Sequence, residues 1–128
     1  MRAGVVAIVL SLSASLAFAA SEGAWLKRVP DRDKTRINPY GQDEHAVAAG
    51  AFLYKRNCSN CHAADARGRG KRPNLRTERV QHATDGELFW LLTNGDFGRG
   101  MPAWSRLPED QRWQLTRYLH SLPLDGTE

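Results

Sequence analysis

A chain of 128 residues, 41% hydrophobic and 25% charged, suits one domain preceded by an export segment rather than a multidomain assembly. Eighteen Lys and Arg against 14 Asp and Glu give a formal charge of +4, and no nucleic-acid recognition motif accompanies that basic balance. Two cysteines supply only half of the ligands a structural zinc requires.

Met1-Arg2, an apolar run from Val5 to Leu10 and its thinning through Ala20 read as a secretory signal. Ala17-Phe18-Ala19 is a small-x-small cleavage pattern, so residues 1–19 are predicted to be removed on export to the periplasm. The charge then falls from +4 to +3 with the loss of Arg2. An uncleaved membrane anchor is the alternative, though the stretch is interrupted by serines and barely long enough to span. Residues 20–43 are charged, contain Pro30 and Pro39 and show no sustained period; they are predicted to be a strap or linker anchored by Trp25 and Tyr40. From Glu44 the pattern turns helical, with Val47, Ala51, Tyr54 and Cys58 on one stripe and Gly50 beside it.

That helix leads into Cys58-Ser59-Asn60-Cys61-His62, the attachment signature of a c-type haem. Thiols three residues apart share one helical face at roughly 5–6 Å, so both can reach the vinyl groups of one porphyrin. His62 follows directly and can ligate the iron through its imidazole. A thioredoxin-like dithiol would need a βαβ setting that is absent here, and His45, His82 and His120 are too scattered to complete a zinc site. Both thiols are consumed as thioethers in this reading, which leaves the porphyrin to staple a small fold.

Arg67 to Leu75 is a Gly- and Arg-rich loop ending in Pro73-Asn74-Leu75. Arg67, Arg69, Lys71, Arg72, Arg76 and Arg79, opposed only by Glu78, make either a solvated loop or a docking surface for an acidic redox partner. Thr84-Asp85-Gly86-Glu87 is a capping box opening a helix over Asp85–Asn94, with Gly95 as its stop. Asp96 to Pro108 is irregular. Glu109 and Asp110 open a last helix with Leu115, Tyr118, Leu119 and Leu122 facing the core, ended by Pro123. No repeat and no strand pattern is present.

Met101, in Gly100-Met101-Pro102, is the candidate second axial ligand; a soft neutral thioether favours ferrous iron and saturates the coordination sphere. His82 and His120 are its competitors. Phe89, Trp90, Leu91, Trp104 and Trp113 are candidate pocket or core residues, and Trp104, Arg99 or Arg76 could meet a propionate.

From Glu44 to Leu122 the chain resembles the class I cytochrome c family. Gly50-x-x-x-Tyr54-x-x-x-Cys58 is similar to the family's first helix, where glycine lets an aromatic of the last helix cross closely, and Tyr118-Leu119 is similar to that partner. The resemblance implies that the Pro73 carbonyl accepts from the His62 Nδ1–H, that Leu75 packs on the porphyrin and that Met101 ligates iron. It implies an all-α fold, with three main helices around one covalent haem c in a domain spanning 44–124. The implied function is a periplasmic monohaem electron carrier of a respiratory chain, not an enzyme. It would pass single electrons from a dehydrogenase or quinol-oxidising complex to an oxidase or another cytochrome, with no nucleic acid and no stable membrane insertion after cleavage. Two alternatives stand beside it: a dedicated subunit of a quinoprotein-type dehydrogenase complex held by the extension, and a haem enzyme or gas sensor with an open sixth site built on His82 and Arg99.

Overall fold

The computed structural model describes residues 23–125; the predicted signal segment 1–19 lies outside them. Among the described residues six helices follow one another: α1 Asp31–Lys34, α2 Glu44–Asn57, α3 Ser59–His62, α4 Glu78–His82, α5 Asp85–Asn94 and α6 Glu109–Ser121. Two 3-10 turns, Ala24–Arg28 and Phe97–Arg99, join them, and β-pairing is limited to single bridges at Arg69–Arg72 and Asp96–Met101. The chain is all-α, with α2, α5 and α6 the long elements; no described helix is long and apolar enough to cross a membrane.

The α2–α6 crossing organises the core. Asp43 starts α2 by accepting from the His45 amide at 2.8 Å. A Cβ at Gly50 would lie 2.2 Å from the Gln114 carbonyl oxygen and 2.6 Å from Tyr118 Cβ, so this approach requires glycine. Tyr118 instead meets Tyr54, their ring centroids 5.2 Å apart. The buried line of α2 is Ala46, Gly50, Leu53 and Tyr54, whereas Val47 and Ala51 of the predicted stripe are half-buried. The crossing passes over Gly50, so residues three and four positions from it share the covered face.

α5 begins and ends where its sequence signals fall. The Thr84 hydroxyl accepts from the Glu87 amide at 3.1 Å, the Glu87 carboxylate accepts from the Thr84 amide at 2.8 Å, and Gly95 breaks the helix at φ 71°. Phe89 of α5 stacks on Trp113 of α6 at 3.8 Å. Because α6 packs on both α2 and α5, its buried arc is wider than the predicted stripe: it takes in Trp113 and Thr116 with Leu115 and Leu119, and leaves Tyr118 and Leu122 half-buried. The buried Thr116 hydroxyl donates to the Arg112 carbonyl at 3.0 Å.

Residues 23–43, which show no sustained period in sequence, form the Ala24–Arg28 turn and α1 and lie along α5. Trp25, Val29 and Asn38 are buried, while Tyr40, the other expected anchor, is only half-buried. At Gly86 a Cβ would stand 1.7 Å from the Asp33 carbonyl oxygen, so the strap touches the helix backbone. Thr84 Oγ1 donates to the Lys34 carbonyl at 2.8 Å, and Asn38 Nδ2 donates to the Trp113 carbonyl at 2.9 Å. The Arg36 guanidinium lies 4.5 Å from the Phe89 centroid and 5.0 Å from that of Trp113.

Candidate haem site

Cys58, Cys61, His62, Pro73, Leu75 and Met101 line one cavity of about 310 Å³. Val80, Leu88, Leu91, Leu92, Leu115 and Leu119 make much of its remaining wall. α2 delivers Cys58 as its C-cap. The Cys58 carbonyl then accepts from the amides of Cys61 at 3.2 Å and His62 at 3.0 Å, which puts the whole pentapeptide on one turn. Both cysteine side chains are half-buried, and neither forms a disulfide. Burial, with the neighbouring Cys61 second, pushes the Cys58 thiol up to about 12, so the sulfur stays neutral in its apolar wall.

His62 is oriented by its backbone neighbour rather than by a carboxylate. Its Nδ1 lies 3.0 Å from the Pro73 carbonyl oxygen; that oxygen only accepts, so Nδ1 carries the proton and Nε2 keeps its lone pair. Burial, and behind it the Arg72 charge, lower His62 below the ordinary histidine range against the opposing pull of the Pro73 bond. A neutral imidazole with one free nitrogen is what an axial ligand requires.

The loop that brings Pro73 to His62 is pinned at several points. Ala63 (φ 66°, ψ 160°) and Ala66 (φ 64°) adopt positive φ, which costs a residue with a Cβ on the order of 1–3 kcal/mol. They are held there by Tyr54, whose hydroxyl donates to the Ala63 carbonyl at 2.6 Å, and by the Leu75 amide, which donates to the Ala66 carbonyl at 2.8 Å. Asn74 Nδ2 donates to Asp125 at 2.7 Å, and the same carboxylate meets Arg67 at 2.9 Å and Arg76 at 3.2 Å. Donation by Asn74 first, and by Arg67 next, holds the Asp125 carboxyl below the usual carboxylate range.

Met101 belongs to a closed loop. Its amide donates to the Asp96 carbonyl at 3.0 Å and its carbonyl accepts from the Asp96 amide at 2.9 Å, around the Phe97–Arg99 turn. The Trp104 amide then donates to the Leu92 carbonyl at 2.8 Å, which ties the loop's exit back to α5.

Leu91, Arg99 and Trp104 also line the cavity, as the sequence suggested. Arg76 does not: its Nε is spent on the Pro123 carbonyl and Asp125. Phe89 and Trp113 form their own stack away from the cavity, and half-buried Trp90 lies outside it. His82 is exposed and outside the lining. His120, the other competing ligand, is half-buried with Nε2 3.0 Å from the Ala83 carbonyl and Nδ1 3.0 Å from Asp85. Sequence reasoning missed Tyr54, Arg72 and Thr77 as cavity residues, and Trp25, flagged only as an anchor, joins them.

Two thiols on one turn, an imidazole with a single free nitrogen and an apolar interior fit a covalently attached porphyrin. The family model described as "Cytochrome C oxidase, cbb3-type, subunit III" matches residues 45–119, and the chain belongs to this family. It is 35% identical over 99 residues to the Cbb3-type cytochrome c oxidase subunit CcoP of Rhodobacter capsulatus, covering 68% of this chain and 33% of that protein. It is 30% identical over 93 residues to cytochrome c550 of Pseudomonas aeruginosa, covering 68% of this chain and 63% of the relative. Cytochrome CL of Methylophaga aminisulfidivorans, a solved structure, matches with a TM-score of 0.60 at 27% identity, over 70% of this chain and 61% of that one. The chain thus spans a third of the oxidase subunit and under two thirds of the other two. The fold is that of cytochrome c, the cofactor is a covalently attached haem c with its iron, and the domain is of an electron-transfer family.

Proposed function

We propose that this chain is a periplasmic monohaem electron carrier whose haem c is held by Cys58 and Cys61 and whose iron is ligated by His62 and Met101. The observation that carries the reading is the single cavity that gathers all four residues, with His62 Nδ1 committed to Pro73 and Nε2 left to bind metal. Bound haem c supplies a one-electron couple at its iron. Around it His62 and Met101 would supply two neutral donors to the iron, and the apolar side chains of the cavity would supply a low-dielectric wall. Lys71, Arg72 and Arg99 line the same cavity and Arg69 is exposed nearby in sequence, a basic rim suited to an acidic redox partner. Arg67 and Arg76 contribute less to that rim than their sequence cluster suggests, because both are drawn onto Asp125.

The periplasmic setting rests on the leader-like residues 1–19 and on haem c chemistry. The test is the visible spectrum of ferric protein expressed with its leader, followed by reduction and exposure to carbon monoxide. The expected result is a weak near-red sulfur-to-iron band and no carbon monoxide binding. Absence of the band with rapid carbon monoxide binding would overturn the His62/Met101 assignment.

A second reading, a haem subunit held within a larger redox complex, is favoured by the oxidase-subunit family match. Size exclusion of the native periplasmic and membrane fractions separates the two. The free carrier is expected to elute alone as a small haem protein, and co-elution with an oxidase or dehydrogenase activity would establish the subunit.

A further inference from the structure

The family match begins at residue 45, yet two side chains from well before that point reach the cavity and the loop that carries Met101. Trp25 is buried and forms part of the cavity wall with Leu88 and Leu92 of α5. Three residues later, Arg28 Nη2 lies 2.7 Å from Asp96 Oδ1, and its guanidinium stands 6.0 Å from the Trp90 ring centroid. Asp96 is the residue whose amide and carbonyl both pair with Met101. Its side chain is only 12% exposed, so the carboxylate depends on protein partners rather than on water, whereas the Arg28 side chain is 50% exposed.

The rest of the strap is anchored elsewhere. Asp33 lies against Gly86, Lys34 accepts from Thr84, and Arg36 covers the Phe89–Trp113 stack and pairs with Glu109 at 2.8 Å. The strap therefore runs antiparallel to α5, from the methionine loop at Arg28 to the helix start near Gly86. Two jobs are separable along it: residues 33–38 fasten it to the helices, and residues 25–28 touch the cavity and the distal loop.

We propose that the strap is part of the distal-ligand apparatus: Arg28, acting through Asp96, is a positioning residue that holds the Met101 loop against the cavity, and Trp25 completes the wall there. The proposal rests on Met101 being an iron ligand. Removing the Arg28 charge leaves a poorly hydrated carboxylate at the base of the loop, which loosens the Asp96–Met101 pairing and makes the methionine easier to displace.

The test uses haem-loaded, full-chain protein and imidazole as the entering ligand, with stopped-flow rates on the ferric form, the near-red band and the melting temperature read together. Arg28→Gln is expected to accelerate imidazole binding about tenfold, half the Arg28 side chain being screened by solvent, and to weaken the near-red band. Arg28→Lys keeps the charge and is expected to return the rate most of the way to wild type. Arg36→Gln, at the fastening end, is expected to lower the melting temperature without altering the imidazole rate. An unchanged rate in Arg28→Gln would overturn the proposal, and so would equal acceleration in Arg36→Gln, which would mean general loosening. If Arg28→Gln does not fold, Arg28→Met, which keeps the apolar stem and loses the charge, decides instead: faster imidazole binding than wild type supports positioning, and a wild-type rate overturns it. If the wild-type protein lacks the near-red band, the Met101 assignment falls and the strap's role falls with it; a normal wild-type band with unaltered variants removes only the strap.

Discussion

Replacing Met101 with alanine is expected to lower the reduction potential by on the order of 0.2 V, within the ~0.8 V range over which axial ligands set haem potentials. The same variant should lose the near-red band and bind carbon monoxide when reduced. The structure makes this outcome sharp because, among the described residues, neither competing histidine is placed to replace Met101. His82 is exposed and outside the cavity, and His120 has both ring nitrogens engaged, at Ala83 and Asp85. The loop itself should survive the substitution, since the Asp96–Met101 pairing is made by backbone atoms that alanine retains. Redox titration and carbon monoxide difference spectra check the prediction. An unchanged potential with no carbon monoxide binding would show that Met101 is a wall residue only.

The second large effect concerns the cofactor as part of the core. Cys58→Ser/Cys61→Ser protein, which cannot attach haem, is expected to lose its cooperative melt and most of its near-UV circular dichroism. The wall formed by Val80, Leu88, Leu92, Leu115 and Leu119 surrounds about 310 Å³. Without its porphyrin that apolar wall loses the dispersion contacts along its whole inner face, and a small domain has only about 5–15 kcal/mol of total stability to lose. The α2–α6 crossing at Gly50 does not depend on the cavity, so residual helicity is expected in the far-UV signal. A haem-free variant with native helicity and a sharp melting transition would contradict this account.

The haem motif was legible because its chemistry is local: five consecutive residues carry both thiols and the imidazole, and one helical turn fixes their mutual placement. The limits of α5 were legible for the same reason, since Thr84 and Glu87 cap each other and Gly95 stops the helix within its own sequence. The Gly50–Tyr118 contact joins residues far apart in the chain, and it was reached through resemblance to a known helix pair rather than through spacing. α1 and α4 went unseen because four or five residues are too few to show a helical period. The predicted stripe of α2 shares Tyr54 with the buried face, which otherwise runs through Ala46, Gly50 and Leu53, because a stripe of apolar residues does not reveal which line a crossing helix will cover. The basic run from Arg67 to Arg79 read as one surface, but Arg67 and Arg76 turn to Asp125, which stands 58 and 49 positions further on.

The sequence alone determined the cofactor and its attachment through Cys58 and Cys61, because five consecutive residues carry that chemistry and also mark His62 as the proximal candidate; the all-α fold followed from the family resemblance. The tertiary structure decided how residues 23–43 are used. Nothing in their composition distinguishes a tether from a strap, since contacts such as Arg28 with Asp96 and Asn38 with Trp113, 68 and 75 positions apart, exist only once α5 and α6 have packed. It also decided which polar groups meet the cavity and which are spent elsewhere, as with Arg72 against Arg76. Local chemistry survives without the fold; the partners of a long charged side chain are chosen by the packing that surrounds it.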